Sequence, residues 1–483
     1  MSEELKAKAE EIKNQANVFF KEKQFPAAVE KYSEAIELNP QVASYYTNRA
    51  FCHLKLENYG YSIADANKAL EIDPTFTKAN YRRASANMAL GNFKEALKDL
   101  RVVSKRAPSD KDARAKFDEC AKIVRRMEFE KAIEHNDQKR SVAENLDIDS
   151  IVVDDKYDGP RIDEETKMID RTFVENMIDH FKAQKKIHKK YAFMILLAIR
   201  NYMYEAPSLI DVTIPEHGQL TVCGDVHGQF YDFINIFQIN GYPSEDHAYL
   251  FNGDFVDRGS FSVEVILTLF AYKWLYPNRL FLARGNHETD NMNKVYGFEG
   301  EVKAKFSEMM FNLFSETFNA LPLAHVIQNK IFVTHGGLFS RDNVTLDEIR
   351  KIDRIGQGQP GSEGLMCELL WSDPQPQLGR SPSKRGVGIQ FGPDVTQNFL
   401  ETNGLDMVIR SHEVKAEGYV KDHQGKCVTV FSAPNYCDTV GNKGALINIT
   451  PDLKIDYVTF EAVPHPTVKP MQYASQFSGL LGM

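Results

Sequence analysis

Residues 251–259 read FNGDFVDRG and continue the apolar run YLF at residues 249–251. An apolar run that stops at a glycine predicts a buried strand, and the loop after this strand carries two carboxylates and a guanidinium. Loops at strand ends commonly hold ligand-binding side chains. We therefore expect the functional site to be organised around Asp254, the first carboxylate of the loop.

Other stretches repeat this pattern of an apolar run followed by polar residues. They are LTVCGDVHG at 220–228, LFLARGNHE at 280–288, IFVTHGG at 331–337 and MVIRSH at 407–412. Strands that are apolar on both faces imply a sheet covered on both sides. The chain from Gln219 onward therefore predicts an α/β layered domain, with further strands at 427–431 and 444–449.

The first third of the chain is a repeat. Prolines at 40, 74 and 108 are evenly spaced, since both 74 − 40 and 108 − 74 give 34. Small residues keep the same step at Ala16, Ala50 and Ala84. A 34-residue period with small residues between paired helices is the tetratricopeptide signature.

These patterns predict the following division of the chain. The N-terminal domain, 1–135, holds repeats at 9–42, 43–76 and 77–110 plus a capping helix to about Glu134. An acidic linker at 136–165, a catalytic domain at 166–470 and a C-terminal regulatory tail at 471–483 follow it. Within the catalytic domain, one surface helix with a basic middle is expected over roughly 171–204.

Bulk composition excludes several classes of protein. The formal charge of −9 over 483 residues argues against a general nucleic-acid binder. The six cysteines form no CxxC pair, which suits reduced thiols better than a disulfide framework. Neither an apolar leader nor a long apolar segment is present, so we expect a soluble, unsecreted protein.

The first helix of each predicted repeat carries amides and cations at helical spacing. They are Lys13, Asn17, Asn48, Lys55, Lys78 and Arg82. Residues four or seven apart share a helix face, so the six would form a cradle for a carboxylate-rich peptide end. The alternative is an ordinary solvated face. The register is similar to the two-carboxylate clamp of chaperone-binding tetratricopeptide domains.

The strand-end residues of the second domain supply a set of oxygen and nitrogen ligands. They are Asp225, His227, Asp254, Asn286, His335 and His412. Such a set suits divalent Mn, Fe or Zn, and the absence of a thiolate argues against a structural zinc site. Two neighbouring ions need a bridging carboxylate, for which Asp254 is our choice. Water shared by two cations would be ionised at neutral pH and could attack phosphorus.

Four further residues suit hydrolysis of a phosphate monoester. Arg258 and Arg385 could clamp the phosphoryl oxygens. His287 directly follows Asn286, so it would lie beside the metals and serve as general acid. Asp257 could orient His287 and keep it protonated.

The five motifs together resemble the calcineurin-like metallophosphoesterases, and within them the phosphoprotein phosphatases of the serine/threonine class. LWSDP at 370–374 and SAPNYC at 432–437 are also similar to that family. With the N-terminal repeats, the resemblance covers nearly the whole chain. It implies an all-α tetratricopeptide superhelix followed by an α/β calcineurin-like metallophosphoesterase domain with a central β-sandwich flanked by helices.

The resemblance also implies a role for each site residue. Asp225, His227 and Asp254 would hold one metal. The other metal would be held by Asp254, Asn286, His335 and His412, and Asn286 and His412 would also contact substrate. Tyr436 would close the pocket. The two divalent ions would be Mn²⁺ or Mg²⁺ in vitro, with iron or zinc as native alternatives.

Regulation is implied in the same way. In that family the tetratricopeptide domain covers the active site until the acidic C-terminal tail of heat-shock protein 90, or a fatty acid, draws it away. Glu57 would be the autoinhibitory residue that reaches Arg258. Phosphoproteins would be the substrates, without nucleic-acid partners or stable membrane association, in the cytoplasm and nucleus.

Two features depart from the family pattern. Lys55 stands where an Arg is expected, and a Lys makes a point contact where an Arg makes a fork. The glycine-rich segment 356–364 is unexplained by sequence.

The tail from Ala474 to Met483 is expected to pack against the capping helix or the repeats and help hold a closed state.

Two other functions stay open at this stage. The chain could be a chaperone-binding adaptor with an idle phosphatase domain. The metal site could also hydrolyse nucleotides or phosphodiesters, because a metal core alone does not select a substrate.

Overall fold

The computed structural model describes residues 2–134, 141–163 and 165–474. The chain folds as two compact units, the first built mainly from residues 2–134 and the second mainly from residues 141–381 and 388–474. The predicted tail beyond Ala474 lies outside the described residues. None of the six cysteines, all of them in the described ranges, is in a disulfide.

The first unit consists of paired helices. They are α1 (Glu3–Lys21), α2 (Phe25–Leu38), α3 (Ala43–Lys55), α4 (Tyr59–Ile72), α5 (Thr77–Ala89), α6 (Phe93–Arg106) and α7 (Lys111–Glu134). Each predicted repeat contains one helix pair. Ala16, Ala50 and Ala84 are completely buried, because a larger side chain at these positions would separate the helices. The predicted all-α tetratricopeptide fold is confirmed.

The second unit mixes helices and strands. Its helices are α8 (Val142–Asn145), α9 (Arg171–Lys182), α10 (Lys189–Glu205), α11 (Phe230–Asn240), α12 (Ser262–Leu275), α13 (Asp290–Tyr296), α14 (Phe298–Lys305), α15 (Glu308–Ala320), α16 (Leu346–Arg350), α17 (Arg354–Gln357), α18 (Leu365–Trp371) and α19 (Pro393–Asn403). Short 3-10 turns span His423–Gly425 and Tyr436–Asp438.

The strands of the second unit form three sheets. They are β1 (Leu209–Val212), β2 (Gln219–Cys223), β3 (His247–Phe251), β4 (Leu280–Leu282), β5 (Ala324–Ile327), β6 (Ile331–Thr334), β7 (Asp373–Pro374), β8 (Arg380–Pro382), β9 (Ile389–Phe391), β10 (Met407–Arg410), β11 (Tyr419–Asp422), β12 (Cys427–Val430), β13 (Gly444–Ile449) and β14 (Ile455–Phe460). The strand orders are β1-β5-β6-β10-β12-β11, β14-β13-β2-β3-β4 and β7-β9-β8.

The two large sheets pack face to face as a β-sandwich. Alternate residues of β3 point to opposite faces, so Leu250 lies in the core between the sheets while Phe251 packs against helices. Val333 of β6 and Ile409 of β10 come to the inter-sheet core from the other sheet. The predicted central sandwich flanked by helices is confirmed.

The predicted single helix over 171–204 is wrong. The structure has two helices, α9 and α10, with residues 183–188 between them. Gln184 adopts a positive φ of 57°, which a continuing α-helix cannot accommodate. His188 then starts α10, because its side chain accepts a hydrogen bond from the N–H of Lys190.

Part of the predicted linker packs on the second unit. Glu316 of α15 accepts hydrogen bonds from Val142 N at 2.6 Å and Ser141 Oγ at 2.7 Å. Arg200 of α10 lies 3.1 Å from the same carboxylate. Ile162, near the end of this stretch, is buried in the core. Residues 141–163 are therefore attached by side chains that the composition of the segment does not reveal.

Candidate metal centre and active site

The predicted metal ligands lie in loops that follow the carboxyl ends of parallel strands in the two large sheets. β2, β3 and β4 are parallel neighbours, and Asp225, Asp254 and Asn286 lie in the loops after them. β6 and β10 are parallel neighbours in the other sheet, and they end just before His335 and His412. Carboxyl ends of parallel strands meet at one edge, which is where ligands bind in open α/β sheets.

The loops turn sharply enough to need unusual backbone angles. His227, Asp254 and His412 have φ values of 39°, 52° and 71°. Left-handed angles are costly for residues other than glycine and cluster at functional sites. Gly285 is required because a Cβ there would lie 2.2 Å from Asp254 Oδ1.

Lone pairs converge on one oxygen of Asp254. Asp254 Oδ2 lies 3.3 Å from His335 Nε2 and 3.5 Å from His227 Nε2. His335 Nε2 also lies 3.0 Å from Asn286 Oδ1 and 3.2 Å from His412 Nδ1. Asp225 Oδ2 completes the group at 3.7 Å from His227 Nε2.

Hydrogen bonds determine which histidine nitrogens face this centre. His335 Nδ1 lies 2.8 Å from Asn252 O, and His227 Nδ1 lies 3.0 Å from Val256 O. A carbonyl oxygen only accepts, so each Nδ1 carries the proton and each Nε2 presents a lone pair. Burial lowers the pKa of both imidazoles, that of His227 well below its usual value, which favours the neutral form.

The centre therefore fits divalent cations. Carboxylate, amide and imidazole lone pairs within hydrogen-bonding distance of one another repel unless a cation lies between them. The ligand atoms of Asp254, His335 and His412 lie within 4.8 Å of one another, as do those of His227, Asp254 and His287. Burial raises the pKa of Asp225 to about 7, a shift that cations in the centre would reverse.

The predicted acid pair is in hydrogen-bonding contact. His287 Nδ1 lies 2.8 Å from Asp257 Oδ2. Asp257 also accepts from Asn293 Nδ2 at 3.0 Å and from the N–H of Phe298 at 2.9 Å. Burial raises the pKa of Asp257 to about 7 against these donors. The His287 ring lies 4.8 Å from that of His227, which places it at the edge of the centre.

The predicted substrate ligands occupy different loops. The Arg258 guanidinium lies 4.0 Å above the ring of Tyr296. The Tyr436 ring lies 5.2 Å from that of His227. Arg385 lies in the turn between β8 and β9, where its backbone N–H donates to Ser383 Oγ at 3.0 Å. The roles of these three side chains stay predictions.

Sequence reasoning missed the role of Glu288. Its carboxylate is completely buried and accepts from the N–H groups of Asp254, Phe255 and Gly285, each at 2.8 Å. Burial, and then the charge of Asp254, raise the pKa of Glu288 to about 8. Glu288 thus holds the Asp254 and Asn286 loops together, a function that its place after Asn286 and His287 could have suggested.

Two buried arginines were missed as well. Arg410 donates to Gly336 O at 2.6 Å and to Asp373 Oδ1 at 2.7 Å, which braces the loops carrying His335 and His412. Arg284 donates to Glu288 O at 3.0 Å and to Gly358 O at 2.7 Å. The glycine-rich segment 356–364 is therefore tied to the Asn286 loop.

In the first unit, four of the six predicted clamp residues lie in two groups. Tyr32 OH donates to Asn17 Oδ1 at 2.6 Å and also bonds Asn48. Phe51 packs under two cations, with Arg82 Cζ 3.5 Å and Lys55 Nζ 5.4 Å from its ring centroid. Burial, and then the charge of Arg82, lower the pKa of Lys55. Sequence reasoning missed Tyr32 and Phe51.

The remaining predicted residues of this unit are near the same helices. Lys13 forms an ion pair with Glu10 one turn earlier, and Lys78 is exposed at the start of α5. Glu57, two residues beyond α3, adopts a positive φ of 57°. Its autoinhibitory role stays a prediction.

Among the described residues, no helix is both long and apolar enough to cross a bilayer.

Comparisons with known families match both units. Residues 218–416 match the calcineurin-like phosphoesterase family. Residues 16–57 and 43–76 match descriptions of tetratricopeptide repeats. A further match, described as the PPP5 TPR repeat region, covers residues 117–211.

Individual relatives match over nearly the full length. Serine/threonine-protein phosphatase T of Aspergillus oryzae is 59% identical over 463 residues, 96% of this chain and 96% of the relative. Serine/threonine-protein phosphatase 5 of Rattus norvegicus is 56% identical over 469 residues, 97% of this chain and 93% of the relative.

A solved structure matches much of the chain. It is a protein serine/threonine phosphatase from Saccharomyces cerevisiae, described as similar to human phosphatase PP5. It is 45% identical with a TM-score of 0.61, covering 63% of this chain and 100% of that one. Taken with the full-length relatives, these matches show that the chain belongs to the serine/threonine-protein phosphatase 5 family and is a metal-dependent protein serine/threonine phosphatase with tetratricopeptide repeats.

Proposed function

We propose that the chain hydrolyses phosphoserine and phosphothreonine monoesters with two divalent ions arranged around Asp254. The observation that carries the proposal is the convergence of two imidazole lone pairs on Asp254 Oδ2. When bound, the two ions would make a water molecule acidic enough to attack phosphorus at neutral pH. Asp225 and His227 would complete one ion site, and Asn286, His335 and His412 the other.

The protein groups would handle the proton and the charge of the phosphate. His287 Nδ1 is bonded to Asp257, so its Nε2 is the atom that would protonate the departing serine or threonine oxygen. Arg258 and Arg385 would hold the phosphoryl oxygens, Asn286 and His412 would contact substrate, and Tyr436 would close the pocket. Two arginines favour a dianionic monoester over a phosphodiester.

Regulation by the tetratricopeptide unit is the second part of the proposal. Lys13, Asn17, Asn48, Lys55, Lys78 and Arg82 would bind the acidic C-terminal tail of heat-shock protein 90. The pairing of Asn17 with Asn48 through Tyr32 supports one shared binding face. The same unit, through Glu57, would inhibit the phosphatase until the peptide or a fatty acid releases it, in the cytoplasm and nucleus.

One experiment separates these parts. Phosphate release from a phosphoserine peptide is measured for the full chain and for a version that starts near Asp163, each with Mn²⁺ and with a chelator. We expect the short version to be faster and the chelator to silence both. Equal, metal-dependent rates would remove autoinhibition but keep the enzyme, and inactivity of both would favour an adaptor. Activity on a phosphodiester instead of the peptide would contradict the substrate class.

A further inference from the structure

Arg258 lies in a backbone conformation that needs external support. Asp257 and Arg258 are consecutive and both have a φ of 69°, in the left-handed region. A residue other than glycine in this region is strained relative to ordinary backbone. Two in succession persist only where surrounding groups hold them.

Contacts on both sides of Arg258 provide that support. Its N–H donates to Tyr296 O at 3.1 Å, and its guanidinium lies 4.0 Å above the Tyr296 ring. Its carbonyl oxygen accepts from the N–H of Met471 at 2.7 Å. Met471 belongs to the last part of the described chain, 213 residues beyond Arg258 (471 − 258). A distant segment therefore hydrogen-bonds to the backbone of this loop.

Ser260 fastens that segment beside Arg258. Its hydroxyl donates to Lys469 O at 2.6 Å and accepts from the N–H of Gln472 at 3.2 Å. The two bonds lie on either side of Met471. We call residues 469–472 the C-terminal strap. Ser260 is only 5% exposed, so a hydroxyl without these partners would be costly.

We propose that Ser260 is a positioning residue, which holds the C-terminal strap on the Arg258 carbonyl and thereby directs the Arg258 guanidinium toward the phosphoryl group. The inference rests on the proposed phosphate-binding role of Arg258. Loss of the strap would let the left-handed pair relax. A bidentate contact depends on the direction of the guanidinium plane, so a small rotation is enough to weaken it.

The test uses Ser260→Ala in the full chain loaded with Mn²⁺. We expect the inhibition constant for inorganic phosphate to rise roughly 3–10-fold and kcat/KM for a phosphoserine peptide to fall by a similar factor. Ser208→Ala is the matched control. Ser208 is 2% exposed, donates to Ile352 O at 2.6 Å and accepts from Arg354 Nη1 at 3.1 Å, and none of these partners is a predicted site residue. Its phosphate inhibition constant should stay unchanged.

A double-mutant cycle distinguishes positioning from general destabilisation. If Ser260 acts through Arg258, Ser260→Ala should add little to Arg258→Lys. Equal losses in both backgrounds, or a matching change in Ser208→Ala, would overturn the inference. If Arg258→Lys itself leaves phosphate inhibition unchanged, the proposed role of Arg258 fails, and the inference with it. Gln472→Pro removes the N–H that reaches Ser260 and should reproduce the Ser260→Ala effect, which keeps the test available if Ser260→Ala does not fold.

Discussion

His287 Nδ1 lies 2.8 Å from Asp257 Oδ2, and Asn293 Nδ2 lies 3.0 Å from the same oxygen. The carboxylate therefore receives two donors at one oxygen and holds the imidazole in a single orientation. Asp257 is completely buried and His287 is 6% exposed, so the pair is largely shielded from water. Because Nδ1 faces Asp257, the proposed proton transfer by His287 would use Nε2.

The acid role of His287 predicts dependence on the leaving group. His287→Asn should lower kcat for a phosphoserine peptide about 10²–10⁴-fold, because a serine alkoxide must be protonated as it leaves. Nitrophenyl phosphate needs little protonation, so its turnover should fall much less. Steady-state kinetics with both substrates provide the measurement. Similar losses for the two would contradict the assignment, and Asp257→Asn should show the same selectivity in weaker form.

The metal centre predicts loss of activity when Asp254 is neutralised. Asp254→Asn should lower phosphatase activity at least about 10³-fold and weaken Mn²⁺ binding, because Asp254 Oδ2 faces both histidine groups. Isothermal titration with Mn²⁺ and a phosphoserine assay measure the two effects. Asp211→Asn is the control, since Asp211 pairs with Arg350 outside the centre. Full activity in the chelated enzyme would show that the assignment is wrong.

Glu288 is expected to affect metal affinity, although no direct contact with substrate is proposed for it. Glu288→Gln keeps the shape but replaces a carboxylate that accepts three N–H bonds, so affinity for Mn²⁺ should fall roughly 10–100-fold. Metal titration monitored by activity checks this. Glu316→Gln serves as control, because Glu316 also accepts a backbone N–H, at 2.6 Å from Val142. Unchanged metal affinity in Glu288→Gln would contradict the positioning role.

The clamp predicts opposite effects at two cations. Arg82→Ala should weaken binding of an acidic peptide with a free C-terminal carboxylate by about tenfold or more, since it removes a charged donor beside Phe51. Lys55→Arg should strengthen binding, because a fork replaces a point contact. Calorimetry with the peptide and its C-terminal amide provides the comparison. Indifference to the amide would argue against carboxylate recognition.

Buried Lys273 is expected to make the free energy of unfolding depend on pH. Burial lowers its pKa from 10.5 to about 7, and its Nζ donates to Pro277 O at 2.6 Å. Between pH 7 and 10.5 the unfolded chain holds the proton that the folded chain has lost, so this residue makes stability rise with pH. Below pH 7 the folded state bears the full cost of a buried charge.

Lys273→Met should therefore raise the melting temperature at pH 7 by roughly 2 °C or more. The gain should shrink as pH increases toward 9.5, because removing the proton that the amine carries in the unfolded chain costs less as pH approaches 10.5. Thermal melts of the two proteins across this range provide the test. A constant difference at all pH values would show that Lys273 stays charged. Buried His325 lies near this amine, and its pKa is lowered to about 3, so it stays neutral throughout.

Much of the architecture was predictable because its signals are local. The 34-residue step identified the helical repeats, and five apolar runs ending in ligands identified the sandwich edge. The candidate metal ligands could be named individually, since strand-end motifs carry their own residue types, and the structure brings their ligand atoms together. The helix pair α9 and α10 was predicted as one helix, because the positive φ of Gln184 has no strong sequence signal.

The sequence by itself determined the residue types of the site, the repeat period and the positions of the ligand-bearing strands along the chain, because each depends on neighbours close along the chain. Only the tertiary structure decided how the side chains are oriented. The His335 ring is oriented by a hydrogen bond from Nδ1 to the carbonyl oxygen of Asn252, 83 residues away. Ser260 Oγ donates a hydrogen bond to the carbonyl oxygen of Lys469, 209 residues away. Such partners meet only after the sheets pack, since strand register and loop path select each hydrogen bond.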